Sequence, residues 1–585
     1  MDHFRDLFTP RQALALATFG RAIQEAGGEL RKELGGEFAQ AVQCCLALAF
    51  GRLSDFCSSL CVLNTTGNRG CKNTFARQAL PIVWDFMETA PLNSVGANWL
   101  GGLDTLEETI RSQAVLGTQG HTHAASATAH PLPDDTAFAV ITDPPYYDAV
   151  PYSDLADFFY VWLKRALPPE MGFQEALTPK ADECIVDDAK GKDKLFFETT
   201  MRCAMAEARR IARPDAIGVV VFAHKSTSGW EALLQAMVEA GWIVTGSWPI
   251  DTERPGRLRA MESAALASSV HLVCRPRENP GGSVRDTDVG NWREVLIELP
   301  LRIHHWMPRL AAEGVVGADA IFACLGPALE IFSRYSRVER ANGEVVSLRE
   351  YLEQVWAAVS REALLMIFAD PETAGLDEDA RLTAMWLWTI AAPTSTVAVD
   401  APAEDESQVD EDQDYDHSAA PVPAPGFTLE FDAARKIAQG LGARLEELED
   451  IVLVKGDKAR LLSVAERTKY LFGGADAAPT TKKASKKKPQ RLLFEELEEV
   501  AEQQGWGEVG TPRAGSTTLD RVHQAMILFG AGRGEALKRF LVDEGVGRLA
   551  QFWKLAQALS ALYPVGTDEK RWVDGVLARK KGLGF

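Results

Sequence analysis

Between Phe138 and Pro276 short apolar runs alternate with helical patterns, and this alternation constrains the fold more than any other feature of the chain. Phe138 to Thr142 reads as a buried strand. Leu155, Phe158, Phe159, Trp162 and Leu163 then recur at helical spacing, with Ser153 as the expected cap. A helical pattern from about Lys192 to Ala212 stops at Arg213 and Pro214. "IGVVVFAHK", Ile217 to Lys225, follows with the continuous apolar character of a strand covered on both faces. Ser226 to Ser228 offer caps for a helix through Trp230, Leu233, Leu234 and Met237, closed by Gly241. "WIVTGSWPI", a charged loop with Arg254, Arg257 and Arg259, and "SSVHLVCRP" complete the series. Strand, helix, strand, helix, strand, loop, strand is half of a doubly wound α/β sheet.

A chain of 585 residues is too long for one ordinary core. Residues 1–130 read as mainly helical, with Thr9 and Pro10 as a helix start. The sheet half occupies 131–280, and a helical region follows over 281–399. An acidic, Pro/Ala-rich stretch at 400–425 reads as a disordered linker. A small module at 426–475, a Lys-rich linker at 476–490 and a helical domain at 491–585 complete the expected organisation. The formal charge of −20 argues against a protein that coats nucleic acid unaided. Its sign varies along the chain: Glu404 to Asp416 holds eight acidic residues, whereas Lys482, Lys483, Lys486, Lys487, Lys488 and Arg491 gather positive charge, so any nucleic-acid contact is expected to be local. No run of about 18 apolar residues and no secretory leader is evident, so no membrane partner is expected and the cytoplasm is the expected location. Nine scattered cysteines do not resemble a disulfide framework and read as reduced thiols.

Asp143-Pro144-Pro145-Tyr146, preceded by Val140 and Ile141, is the motif that carries chemistry. It fits the signature of enzymes that methylate the exocyclic amino group of adenine or cytosine: two apolar residues, one variable residue, Asp or Asn, two prolines and an aromatic. An exocyclic amine is a weak nucleophile because its lone pair is delocalised into the ring. Two acceptors that bind both amino hydrogens localise that pair, and the Asp143 carboxylate with the Pro144 carbonyl supply them. Pro144 and Pro145 fix the loop in advance, leaving little ordering entropy to lose on binding. Tyr146 offers a ring on which a flipped base can stack. Tyr147 and Tyr152 either line the pocket or pack, and the sequence leaves both readings open.

"ITDPPYYDAVPYSDLADFFYVWLKR", "FTPRQALAL", "RQALPIVWDFMETAP", "VVVFAHKSTSGWEALL", "RLRAMESAALASSVHLVCRPR" and "EKRWVDGVLARKKGLGF" resemble the adenine-specific DNA methylases of bacteria and archaea that carry an N-terminal domain of unknown function and sit in anti-phage gene clusters. The resemblance covers nearly the whole chain. It implies an α/β fold with a partial Rossmann-like methyltransferase sheet, strands β4 to β7 of the family pattern, and large helical additions at both ends. It implies S-adenosylmethionine as donor, DNA adenine as acceptor, and other phage-defence proteins as partners. By this likeness Asp143, Pro144, Pro145 and Tyr146 match the catalytic loop, and His224 and Lys225 at the end of the next strand face the same cleft.

The family's Phe-x-Gly-x-Gly donor loop has no counterpart upstream of the motif, so no cofactor-binding residues are assigned. The expectation is that a separate polypeptide supplies the donor-binding half, or that the gene is a fragment. Phe529-Gly530-Ala531-Gly532 has the right letters but lies among helical patterns and reads as a helix-to-helix turn. Cys57, Cys61 and Cys71 lack a fourth ligand nearby, and no metal is expected. His121, His123 and His130 read as a solvated loop. Arg254, Arg257 and Arg259 either touch DNA phosphates or form a charged turn. Two other functions fit the same letters: a degenerate methylase acting as a DNA-binding scaffold, and an N4-cytosine or RNA amino-methyltransferase.

Overall fold

The computed structural model of the chain describes residues 3–64, 70–76, 79–94, 97–114, 120–148, 150–224, 227–251, 268–279, 283–313, 315, 317–368, 376–390, 427–456, 458–473 and 512–585. These fall into two units. The first gathers Met1–Ala124 with Tyr147–Lys192, and the second gathers Ala125–Tyr146, Asp193–Ala398 and Pro423–Phe585.

In the first unit, helix α1 (Pro10–Leu34) begins as its sequence dictates. The Thr9 hydroxyl accepts the Gln12 amide at 3.2 Å while the Gln12 side chain accepts the Thr9 amide at 2.9 Å, a reciprocal cap. Helices α2 (Gly36–Asp55), α3 (Trp99–Gln113) and α4 (Tyr152–Ala166) join it, with a short hairpin of β1 (Val62–Leu63) and β2 (Cys71–Lys72). Leu16 and Ile23 of α1, Phe50 of α2 and Trp162 of α4 share one apolar core. Ser153 does not cap α4. Its amide and hydroxyl both donate to the Glu183 carboxylate, at 2.7 and 2.5 Å, so a side chain thirty residues away does the work expected of a local cap.

The second unit is built on β3 (Ala137–Thr142), helix α5 (Lys194–Ile211), β4 (Ala212–Phe222), helix α6 (Thr227–Glu239), β5 (Trp242–Asp251) and β6 (Ser268–Pro276). The strands form one sheet in the order β3-β4-β6-β5. β3 and β4 are parallel, with Thr142 beside Val220, whereas β6 runs antiparallel to both of its neighbours. The sheet is therefore mixed: three strands share a direction and the last in sequence is inserted, reversed, between two of them. α5 and α6 lie on one face. Trp242 donates its indole N–H to the Met205 carbonyl of α5 at 2.9 Å, and Phe222 meets Trp230 of α6 edge to face at 5.0 Å. Val220, Phe222, Val270, Leu272 and Val244 point into this layer and are buried. Ala139, Ile141 and Ile217 point the other way and are exposed, with Val219 and Val221 half-buried beside them.

Downstream come β7 (Val289–Asn291), α7 (Trp292–Ala312), α8 (Gly317–Ser333) and β8 (Arg337–Glu339), the two strands pairing in parallel. α8 seals the β5 edge. The Ser333 hydroxyl accepts the Val244 amide at 3.0 Å, and the Ser247 hydroxyl accepts the Gly326 amide at 2.7 Å. Helix and strand backbones approach so closely that a Cβ on Gly326 lies 2.2 Å from the Gly246 carbonyl carbon. Gly326→Ala is therefore expected to lower the unfolding free energy by about 1–3 kcal/mol, measured by urea denaturation.

Helices α9 (Leu348–Phe368) and α10 (Glu378–Ile390) lead to a small module of β9 (Thr428–Glu430), α11 (Phe431–Gly440), β10 (Val452–Lys455), β11 (Lys458–Leu461) and α12 (Thr468–Gly473). Helices α13 (Thr518–Gly530), α14 (Gly534–Val542), α15 (Ala550–Leu562) and α16 (Asp568–Ala578) follow. Phe529 and Gly530 end α13, and Ala531 and Gly532 begin the turn to α14, with Gly532 at φ 71°. The linkers expected at 400–425 and 476–490 lie outside the described residues. The Arg467 guanidinium is fully buried, donating to Asp520 at 2.8 Å, to His523 Nδ1 at 2.7 Å and to Asp450 at 3.2 Å. Removing it strands two carboxylates, so Arg467→Met is expected to cost about 3–5 kcal/mol, read from the shift in the denaturation midpoint. Burial pushes the Asp379 carboxyl nearby up to about 6. A folded value above the unfolded one stabilises fully below about pH 4 and loses that contribution as pH rises through 6. Denaturation measured from pH 4 to pH 7 is expected to show this decline, and Asp379→Asn is expected to remove it.

Candidate functional site

β3 stops at Thr142 because the two prolines that follow Asp143 offer no amide to a ladder. Asp143 is exposed, Pro144 is buried, and Pro145 and Tyr146 are half-buried. The Tyr146 ring meets Phe222, the last residue of β4, at 5.4 Å between centroids and 68° between planes. Since β3 and β4 run parallel, Asp143 and the segment after Phe222 leave the same edge of the sheet. That edge, outside the carboxyl ends of the strands, is where open α/β sheets place ligands.

Two residues past the end of β4, the buried His224 ring lies stacked on Phe222 at 6.3 Å. Trp230 donates its indole N–H to the His224 carbonyl at 3.0 Å and leans on Phe322 of α8 at 5.2 Å. Tyr146, Phe222, His224, Trp230 and Phe322 thus form a continuous run of rings beneath the Asp143 loop. Gly229 is needed under it, because a Cβ there lies 2.4 Å from His224 Nδ1. Lys225, predicted to face the same cleft, and Arg254, Arg257 and Arg259 lie outside the described residues.

Tyr147 and Tyr152 belong to the first unit. Tyr147 holds φ at 56°, the left-handed region that bulky residues rarely enter. Its side chain is 9% exposed and its carbonyl accepts the Val186 amide at 3.0 Å. Strained backbone of this kind costs on the order of 1–3 kcal/mol and persists where surrounding contacts impose it. Tyr152 opens α4 and is exposed.

Cys57 and Cys61 are buried beside the half-buried Cys71. A hydrogen bond from the Cys71 thiol lowers the Cys61 thiol below its usual range. Among the described residues no group of three His, Cys, Asp or Glu side chains is arranged to hold a metal ion. Nor is any described helix long and apolar enough to cross a membrane.

Sequence reasoning named the loop and His224 but not the residues that pack against them. Phe222 reads only as a strand residue, and Trp230 only as one of four apolar positions on a helix. The one available signal was an aromatic at the carboxyl end of the strand next to the motif.

The chain matches no protein-family model, no curated protein and no solved structure.

Gly229→Ala is expected to displace His224 and Trp230. The outcomes to measure are a red-shifted tryptophan emission and a loss of about 1–3 kcal/mol in unfolding free energy.

Proposed function

We propose that this chain is the acceptor-binding, catalytic-loop part of an S-adenosylmethionine-dependent DNA adenine N6-methyltransferase with a role in restriction or phage defence. The observation that carries the reading is the placement of Asp143-Pro144-Pro145-Tyr146 at the carboxyl end of β3, with an exposed carboxylate and a braced tyrosine ring. The α/β sheet, with three co-directional strands and helices packed on one face, is compatible with it.

The target adenine leaves the duplex and stacks on Tyr146, whose ring Phe222 holds from beneath. The Asp143 carboxylate accepts one amino hydrogen and the Pro144 carbonyl the other. The nitrogen is thereby drawn out of conjugation and its lone pair turned toward an incoming methyl group. Neither proline gains freedom when the base departs, so the acceptors stay aligned without renewed ordering cost.

S-adenosylmethionine supplies an electrophilic methyl carbon when bound. The described residues do not form its pocket. Among the described residues β3 pairs with β4 alone, and the Phe529–Gly532 letters lie at the end of α13 and in the turn that follows it. Purified chain is accordingly expected to bind S-adenosylmethionine weakly, and a tight one-to-one calorimetric titration would overturn this division of labour.

Genomic DNA from cells that make the protein is expected to contain N6-methyladenine, measured by nucleoside mass spectrometry. Asp143→Ala is expected to abolish it while changing stability by less than about 0.5 kcal/mol, because the side chain is exposed. Methylation that survives this substitution would rule the assignment out.

A further inference from the structure

The two edges of the four-stranded sheet are treated differently. The β5 edge is closed by α8 through Ser333 and Ser247. Among the described residues the β3 edge is open, since β3 pairs only with β4. Proteins that leave an edge strand bare usually blunt it with charge or proline, and Ala-Phe-Ala-Val-Ile-Thr contains neither. It has the composition of an interior strand, apolar on both sides. Phe138 and Ile141 are each 73% exposed, and the Arg213 guanidinium lies over the Phe138 ring at 4.4 Å.

The same holds for the face opposite α5 and α6. Ile141 and Ile217 begin a surface that crosses β4 and β6 to Trp248 and Ile250, which are 44% and 46% exposed. Exposed apolar patches of about a few hundred Å² on a monomer mark interaction surfaces. A stable interface takes about 800 Å² from each partner, which calls for a paired strand edge beside this face.

We propose that the β3 edge and this face bind a separate polypeptide of α/β type, whose strand extends the sheet beyond β3 and whose apolar helix covers Ala139, Ile141, Ile217 and Val219. A strand added parallel to β3 ends beside Asp143, so the turn that follows it reaches the place where a methyl donor is needed. That assignment of the occupant rests on the methyltransferase reading. A second copy of this chain does not meet the need. Two-fold pairing of β3 with itself is antiparallel and carries the copy's own loop to the far end of the strand.

The test uses the full chain in the cells that produce it, with the photo-crosslinker p-benzoylphenylalanine at position 138 or 141 and peptide mass spectrometry of the products. Both positions are expected to reach one other polypeptide, at a segment that reads as strand, turn and helix. Ile141→Asp is expected to cut the yield from position 138 at least tenfold, with the melting temperature unchanged because the side chain is exposed. Crosslinks confined to a second copy or to nucleic acid, no crosslinks, or a yield indifferent to Ile141→Asp would each overturn the proposal. If the captured segment lacks a glycine-rich turn, the docking surface stands and the methyltransferase reading falls. If adenine methylation depends on Asp143 but no such crosslink forms, the reading stands and the docking surface falls.

Discussion

The parallel pairing of β3 with β4 is the constraint on which the candidate site depends. Parallel neighbours cannot be joined by a tight turn, so the chain must make an excursion between them. Here it leaves the unit after Tyr146 and returns at Asp193. The register sets Thr142 beside Val220, and so sets Tyr146 over Phe222. A slip of one residue would exchange the faces of β3, sending Ile141 into the helix layer and taking Phe222 from under the tyrosine. Tyr147, the first residue after the division, holds left-handed backbone.

From that ladder follow both the chemistry and the exposed surface. Parallel strands gather their carboxyl ends on one edge, which brings an acidic loop and a histidine-bearing loop together over a base of aromatic rings. Among the described residues the same sheet is covered on one face and sealed at one edge, while its other face and edge carry exposed apolar side chains. Neither property comes from a single residue. Both come from which strand is outermost.

Much of this architecture was legible in the sequence. The apolar runs from Phe138 to Pro276 are long enough and sufficiently separated by helical periodicity to announce an α/β unit, and Pro144 and Pro145 fix where β3 must end. Thr9, Pro10 and Gln12 specify their helix start within four residues, because every partner in the cap is local. Ser153 shows the limit of such reasoning. It precedes an apolar helix as a cap should, but Glu183 claims both its amide and its hydroxyl, a contact that sequence spacing does not encode. Strand direction was hidden for a similar reason: "SSVHLVCRP" has the same apolar character whether it runs parallel or reversed, and only pairing with β4 and β5 shows that it is inserted antiparallel.

By itself the sequence determined the class of fold, the position of the motif at the end of a strand, and the helical surroundings of Phe529 to Gly532, since each rests on properties of neighbouring residues. Tertiary structure decided which strands are neighbours, that Phe222 and Trp230 pack against Tyr146 and His224, and that β3 is the outermost strand among the described residues. These are contacts between segments tens of residues apart, and their free energy depends on geometry that no local pattern of side chains contains.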